Sequence, residues 1–176
     1  MGRLPGRPAV AYGMVAFIAG VASLISWAFG LVIGALVARQ VAIQARERGL
    51  RLHYPLLVAS AYAGYAIWHM GYSSSAALFV ATPGNALEKE LDGGVIPVTE
   101  TIFASWNIWT ALISLLVITG LMAAMKPKEG RDEVVEISER AVADYHDSVA
   151  RLERELGGAR RRFFGRTRAA ATPQSS

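Results

Sequence analysis

Three long stretches of this chain contain no Asp, Glu, Lys or Arg, and they constrain its fold more than any other feature. They cover residues 9–38, 53–81 and 101–125 and are 30, 29 and 25 residues long. A helix needs about 20 apolar residues to cross the hydrocarbon core of a bilayer. Each stretch is therefore long enough to span a membrane. The sequence predicts an all-α integral membrane protein, with a membrane domain over residues 9–125.

The charges of the connections predict how the chain is oriented. Basic residues dominate before the first stretch, between the first and second, and directly after the third, whereas the connection around Asp92 is acidic. Cytoplasmic connections of membrane proteins are enriched in Lys and Arg. The N-terminus (residues 1–8), the connection 39–52 and the tail (residues 126–176) are thus predicted to be cytoplasmic. The acidic connection is predicted to lie outside.

Because both ends of the first stretch are predicted to lie on the same side, residues 9–38 are interpreted as a re-entrant helical hairpin. Two arms of about 13 residues would each reach about 20 Å, with a tip at residues 23–30. The alternative is one long tilted helix.

The second and third stretches are predicted to form transmembrane helices over residues 54–81 and 101–125. Small residues in the second, among them Gly64, Gly71 and Ser73–Ser75, indicate either close helix packing or the lining of a polar path. A continuous helix over 54–81 would be about 42 Å long, which places the residues after it towards the outer surface. A break near Ser73 would relieve this, but the sequence does not show one.

The tail after Pro127 is hydrophilic and is predicted to contain an amphipathic helix over residues 134–156, ended by Gly157-Gly158. Its apolar residues follow a 3,4 repeat, which fits either a coiled-coil seam or an ordinary surface helix. Arg160–Arg166 combines Arg with paired Phe, as in segments that bind anionic lipid. The alternative for this basic end is a disordered tail.

The sequence carries no catalytic motif, and it has no Cys. We therefore expect no enzyme activity, no cofactor and no metal site. The basic residues lie at the ends of the apolar stretches and in the tail, so nucleic-acid binding is not expected. His69 lies inside an apolar stretch, where it is either functional or a neutral side chain bonded between helices.

Two predicted breaks in the helices carry the strongest functional signal. If the chain turns at Ser26, this residue becomes the N-cap of the second arm, and the backbone N–H groups there can bind an anion. Pro83-Gly84 is typical of a type II turn, and Asn85 with Glu88 has the form of a capping box that opens a short helix. Many secondary transporters hold carboxylates at the positive ends of such broken helices.

Several segments resemble one known family. They are Ser-Trp-Ala-Phe-Gly-Leu-Val-Ile-Gly-Ala at residues 26–35, Tyr-Pro-Leu-Leu at 54–57, Ala-Thr-Pro-Gly-Asn at 81–85 and Ile-Pro-Val at 96–98. In this order they resemble the bacterial short-chain fatty acid transporters of the AtoE type, over about residues 20–135. The family tends to have Asn and Gly where this chain has Ser26 and Ala28, and its members are much longer. A more distant similarity to the divalent anion and ion transporter group implies part of a transporter-like repeat.

The resemblance implies a carrier of short-chain carboxylates such as acetoacetate or butyrate in the inner membrane. This chain would be one part of it, working by alternating access with proton or sodium coupling and with a complementary membrane half or further copies of itself. The alternative is a small non-transporting scaffold or partner subunit. The residues predicted to bind substrate are Ser26, Trp27, Gly30, Ser73, Ser74, Ser75, Thr82, Pro83, Gly84 and Asn85.

Overall fold

The computed structural model describes residues 8–91, 94–128 and 132–170, with the backbone alone for residues 157–170. These residues form six α-helices and one 3-10 turn, and no β-strand occurs among them. The predicted all-α class is confirmed. The predicted N-terminal segment, apart from Pro8, and the end of the tail (residues 171–176) lie outside the described residues. The helices are α1 (Pro8–Ile25), α2 (Trp27–Glu47), α3 (Tyr54–Tyr65), α4 (Ser75–Ala81), α5 (Ser105–Ala124) and α6 (Glu139–Ala170).

The first two helices form a helical hairpin, so the alternative of one long tilted helix is wrong, but each arm is long and apolar enough to cross a membrane and not half-length as predicted. Ser26 separates them in extended conformation, with φ −155° and ψ 137°. The helices then run antiparallel in close contact, since a Cβ added to Gly30 would lie 2.4 Å from the Cβ of Ser23. The same test at Gly34 gives 3.1 Å to the Cβ of Ala19.

The arms of the hairpin are longer than predicted. They contain 18 and 21 residues, which corresponds to about 27 and about 31 Å. The predicted end at Ala38 is wrong, because α2 continues to Glu47. Loss of the charge-free pattern marks the end of the apolar part of a helix, and a helix can continue beyond it where charged side chains reach water.

The predicted continuous helix over residues 54–81 is wrong. The chain leaves the α-helix after Tyr65, makes a 3-10 turn at Trp68–Met70, and resumes as α4 only at Ser75. The intervening Gly71 has extended backbone, with φ −98° and ψ −174°. This break follows from the hydrogen bonds that residues 72 and 73 make with the hairpin, described below.

Helix α1 lies at the centre of the membrane domain, where it contacts α2, α3 and α5. Its buried positions are mostly small, including Ala11, Ala16 and Ala19. Across from them, a Cβ on Gly64 would lie 2.2 Å from the carbonyl oxygen of Ala16. Small residues let membrane helices approach closely. Gly64 therefore serves helix packing.

The outer surface of the helices is strongly apolar. Helix α5, which begins four residues later than predicted at Ser105, leaves Trp106, Trp109, Ile113 and Leu116 each more than half exposed. Among the described residues, α1, α2 and α5 are long and apolar enough to cross a membrane. Large contiguous apolar surfaces are unfavourable in water but favourable against lipid. The membrane character predicted from the sequence is confirmed.

Residues from Ile137 onward form a separate compact unit that contains α6. The predicted bounds of this helix, 134–156, are wrong at both ends. Residues 134 and 135 are not helical, because Val135 donates its N–H to Nδ1 of His53 and its carbonyl oxygen accepts the N–H of Tyr54. Gly157-Gly158 does not end the helix, whose backbone continues to Ala170. Each Gly costs about 1 kcal/mol relative to Ala, which a 32-residue helix can absorb.

Candidate substrate site at the tip of the hairpin

The tip of the hairpin is bonded to the break between α3 and α4. The backbone N–H of Tyr72 donates to the carbonyl oxygen of Leu24 at 2.8 Å. The backbone N–H of Trp27 donates to the Oγ of Ser73 at 2.9 Å. Gly71 lies against the same turn of α1, where an added Cβ would be 2.2 Å from the Leu24 oxygen. We call these five residues, Leu24, Trp27, Gly71, Tyr72 and Ser73, the tip joint.

The tip joint provides hydrogen-bond partners for backbone groups at helix ends, which are otherwise unpaired in a membrane. The last carbonyl groups and the first N–H groups of a helix lack partners within that helix. In lipid these groups must be satisfied inside the protein, since each one left open costs several kcal/mol. Tyr72 serves the end of α1 and Ser73 serves the start of α2. The break in the second apolar stretch thus provides the hydrogen bonds that the hairpin tip needs.

Ser26 holds the N-cap position of α2, as predicted, but its side chain makes no capping hydrogen bond. Ser73, which lies 46 positions after Trp27, supplies the acceptor for the Trp27 N–H instead. Trp27 is half exposed. Gly30 is buried against Ser23, so its lack of a side chain is explained by packing.

Residues 82–85 form a turn whose hydrogen bonds are local. Gly84 has φ +79°, as the third position of a type II turn requires. Its N–H donates to Oε2 of Glu88 at 2.6 Å, and Nδ2 of Asn85 donates to the carbonyl oxygen of Thr82 at 3.0 Å. Turns follow at residues 86–90, so the short helix predicted from the capping box is wrong.

Thr82, Pro83, Gly84 and Asn85 are not joined to the tip joint. None of the hydrogen bonds recorded for the described residues links the two regions. Asn85 accepts the N–H of Leu87 at 2.9 Å, an arrangement that substitutes for a helical turn. The structure therefore brings Ser73 to Trp27 but leaves the Pro-Gly-Asn segment as a separate, mostly exposed turn.

A cleft of about 280 Å³ begins at Ser74, directly after the tip joint. It is open on one side, and most of its lining is apolar. Ser74 is 4% exposed, and its side chain makes no capping hydrogen bond to α4. Oγ1 of Thr101 is buried and has no hydrogen-bond partner among the described residues. The lining residues are His69, Ser74, Ala76, Ala77, Val80, Thr101, Ile102, Trp106 and Asn107.

Asn107 fixes the geometry of this cleft. The side chain is 8% exposed, and its Nδ2 donates to the carbonyl oxygens of Met70 at 2.9 Å and Ile102 at 2.8 Å. It thereby connects the 3-10 turn after α3 to the first turn of α5. Sequence reasoning missed Asn107 and Thr101. The available signal was a polar side chain inside a charge-free stretch, because such a residue needs a partner within the membrane.

His69 also lines the cleft, and its ring stacks on Trp68 with 3.6 Å between the ring centroids. No group of three His, Asp or Glu side chains in the described ranges could hold a metal ion. The polar groups available in the cleft are two hydroxyls, one amide and one imidazole. Both N–H donors of the Asn107 amide are used by Met70 and Ile102, so the hydroxyl groups are the donors suited to a carboxylate.

The other end of the helices gathers the three connections that are predicted to be cytoplasmic. At the start of α1, the hydroxyl oxygen of Tyr12 accepts the N–H of His53 at 2.8 Å. The N–H of Tyr54 donates to the carbonyl oxygen of Val135 at 2.8 Å. Arg51 forms an ion pair with Glu136 at 2.9 Å. The start of α1, the α2–α3 connection and the segment after α5 therefore meet in what we call the base layer, at the end opposite the tip joint.

These features define an α-helical membrane protein in which two interrupted helical segments meet at one end of a helix bundle. The short-chain fatty acid transporter family matches residues 1–159 of the sequence. The chain therefore belongs to the short-chain fatty acid transporter family.

Two curated relatives are similar to this chain, each named as a candidate short-chain fatty acid transporter. The protein from Escherichia coli (strain K12) is 37% identical over 142 residues, which cover 81% of this chain and 30% of the relative. The protein from Haemophilus influenzae (strain ATCC 51907 / DSM 11121 / KW20 / Rd) is 33% identical over 134 residues, covering 73% of this chain and 29% of the relative. The chain thus spans less than a third of the length of these relatives. No solved structure matches it.

Proposed function

We propose that this chain forms part of a secondary carrier that moves short-chain carboxylates, such as acetoacetate or butyrate, across the inner membrane. The carrier works by alternating access, coupled to protons or sodium ions. Family membership supports the substrate class, because the curated relatives are named for short-chain fatty acids.

The tip joint is the observation that carries this proposal. It brings two interruptions of membrane helices together through Trp27 and Ser73. Irregular backbone at membrane depth is tolerated where it is buried in protein or lines a cavity. Secondary transporters place their substrate sites at such interruptions. A scaffold that only had to span the membrane would gain nothing from breaking two helices and joining them.

The predicted substrate-binding residues divide into four groups within this proposal. Trp27 and Ser73 hold the tip joint together, with Ser26 in the turn beside it. Ser74 lines the cleft, and Ser75 begins α4. Gly30 permits the close packing of the hairpin arms. Thr82–Asn85 follow α4 directly and form part of the entrance from the outer side.

The orientation follows the charges. The base layer, with Arg51, lies on the cytoplasmic side, and the acidic connection after α4 lies outside. The tip joint is then closer to the outer surface than the base layer is. Substrate entering from outside reaches the cleft at Ser74 first.

Uptake of labelled butyrate into proteoliposomes tests the proposal. The liposomes contain this chain together with the membrane polypeptide that co-purifies with it. We expect saturable uptake that unlabelled acetoacetate inhibits and butyramide, which lacks the negative charge, does not. Uptake no greater than that of empty liposomes would contradict the proposal and favour the scaffold alternative.

A further inference from the structure

We propose that the cleft beside the tip joint binds a short aliphatic monocarboxylate, with its carboxylate on the hydroxyls of Ser74 and Thr101 and its alkyl chain against Ala77, Val80 and Ile102. This inference rests on the proposed function and names the place where the carrier holds its substrate. Thr101 precedes α5 and was not among the residues that the sequence singled out.

The hydroxyl groups of Ser74 and Thr101 are the groups that indicate a ligand in the cleft. Oγ1 of Thr101 is buried and has no hydrogen-bond partner among the described residues. Ser74, which is 4% exposed, lines the same cleft, and its side chain makes no capping hydrogen bond to α4. Buried polar atoms are nearly always satisfied by protein, water or ligand. Both hydroxyls can donate to carboxylate oxygens, and such charge-assisted bonds are stronger than bonds between neutral groups. Asn107 holds the wall between them through its bonds to Met70 and Ile102.

The absence of Lys and Arg from the lining favours a ligand with a single negative charge. The residues around the cleft include only one titratable side chain, His69. One carboxylate can be stabilised there by hydrogen bonds. A second carboxylate at the other end of the ligand would lie against Ala77 and Val80 without a partner, and burying an unpaired charge is costly. Monocarboxylates are therefore favoured over dicarboxylates.

The size of the cleft favours a short alkyl chain. Its volume of about 280 Å³ lies at the lower limit of ligand pockets, which run from about 300 to 1,000 Å³. Each methylene transferred from water to an apolar surface raises affinity about fourfold. Affinity should rise from acetate through propionate to butyrate. It should fall again for octanoate, whose chain no longer fits.

The chain has no Cys, so a single introduced thiol can report on the cleft in the native membrane. Ala77 lines the cleft and is partly accessible. In membrane vesicles carrying Ala77→Cys, we measure the rate of modification by a small maleimide. We expect saturating butyrate to slow this rate at least about fivefold. Butyramide, which has no charge, and succinate, which has two carboxylates, should not slow it.

Thr101 and Thr119 form a matched pair for the hydroxyl contact. Both have a buried Oγ1 without a partner among the described residues, but Thr119 lies at the contact between α5 and Gly13, away from the cleft lining. In the Ala77→Cys background, Thr101→Val should raise the half-protecting butyrate concentration at least about tenfold, the effect of losing a hydrogen bond to a charged group. Thr119→Val should change it less than about twofold. Ser74→Ala is the second variant and should act like Thr101→Val.

The control is the modification rate in the absence of butyrate. A variant that is modified at the rate of the parent has an intact cleft. Protection of Thr101→Val or Ser74→Ala by butyrate equal to that of the Ala77→Cys parent would overturn the inference. No protection of the parent by butyrate, or equal protection by butyramide, would overturn it as well. Protection is independent of transport. Butyrate uptake without protection of position 77 would contradict this site and support the carrier function. Protection of position 77 without butyrate uptake would support this site and contradict the carrier function.

Discussion

At Gly71 the connection between α3 and α4 passes so close to the end of α1 that no side chain fits. The nearest atoms to an added Cβ are the Leu24 oxygen at 2.2 Å and the Leu24 Cα at 2.5 Å. Both belong to the backbone, which cannot move aside as a flexible side chain can. The hydrogen bonds of Tyr72 and Ser73 depend on this approach, so Gly71 determines whether the tip joint forms.

Gly71→Ala should therefore destabilise the protein, whereas Gly120→Ala should not. Forcing a methyl group into such a contact costs about 1–3 kcal/mol or more. Gly120 lies within α5 and has no atom within 4 Å of an added Cβ, and Ala is a better helix former than Gly by about 1 kcal/mol. Thermal unfolding in detergent measures both. Equal melting temperatures for the two variants would contradict the close approach at Gly71.

Ser73→Ala should reduce stability more than Ser26→Ala. Removing Oγ of Ser73 takes away the acceptor of the Trp27 N–H, and the loss of such a hydrogen bond costs about 0.5–1.5 kcal/mol. The side chain of Ser26 makes no capping bond, so its loss should cost little. The same unfolding assay compares them. A larger loss for Ser26→Ala would show that the local cap predicted from the sequence is the true one.

Residue-scale prediction from the sequence succeeded where the signal was local. The left-handed Gly84 followed from residue type and immediate neighbours, whereas the turn within residues 23–30 was inferred from the basic charges at the two ends of the first stretch. The acceptor for Trp27 could not be predicted, because Ser73 is distant in sequence and one of three consecutive serines. Thr101 and Asn107 were missed for a similar reason, since their roles depend on which segments meet at the first turn of α5.

At the scale of elements, the base layer explains why three basic connections belong together. Hydrogen bonds and an ion pair join the start of α1, the α2–α3 connection and the segment after α5. A hairpin brings the first two of these to the same end. The third arrives there because α5 runs antiparallel to α1, with Leu115 beside Gly20 and Ala123 beside Gly13.

Single-Cys labelling with a membrane-impermeant maleimide tests this arrangement. Cys introduced at Arg46 and at Lys128 should react only from the cytoplasmic side, and Cys at Glu90 only from the outside. Right-side-out and inverted vesicles provide the two accessible faces. Reaction of positions 46 and 128 from opposite sides would contradict the base layer. Labelling of position 3 from outside and of position 46 from inside would contradict the hairpin.

Charge-free stretches located the membrane helices but could not show where the second stretch breaks. Hydropathy measures transfer to lipid, and residues 66–74 lie inside a charge-free stretch even though they include His69, Ser73 and Ser74. The break is selected by hydrogen bonds to the hairpin, which hydropathy does not register. For the same reason the end of α2 was misplaced, because Arg39 ends the charge-free pattern while the backbone remains helical to Glu47.

At the scale of the whole molecule, the described residues contain one hairpin and one tip joint. Carriers with broken helices commonly combine two related repeats around a central site. The chain also spans less than a third of the length of its curated relatives. The cleft at Ser74 is open on one side, as expected of a surface that another membrane segment completes.

This chain reconstituted alone should not transport. Without a second membrane segment the cleft opens to lipid. The second interrupted helix pair that alternating access requires is then also missing. Flux of labelled butyrate into liposomes containing only this chain should equal that of empty liposomes. Saturable flux from a monodisperse preparation of the chain alone would contradict this prediction.

A chimera tests the central claim most directly, that this chain is a working part of a short-chain carboxylate carrier. The matching stretch of the Escherichia coli relative is replaced by this chain, so that the remainder of the relative supplies the missing segments. We predict saturable butyrate uptake at about a tenth or more of the parent's rate, retained in Gly120→Ala and lost in Gly71→Ala. A chimera that inserts into the membrane at parental levels but takes up no butyrate, while the parent does, would contradict the account.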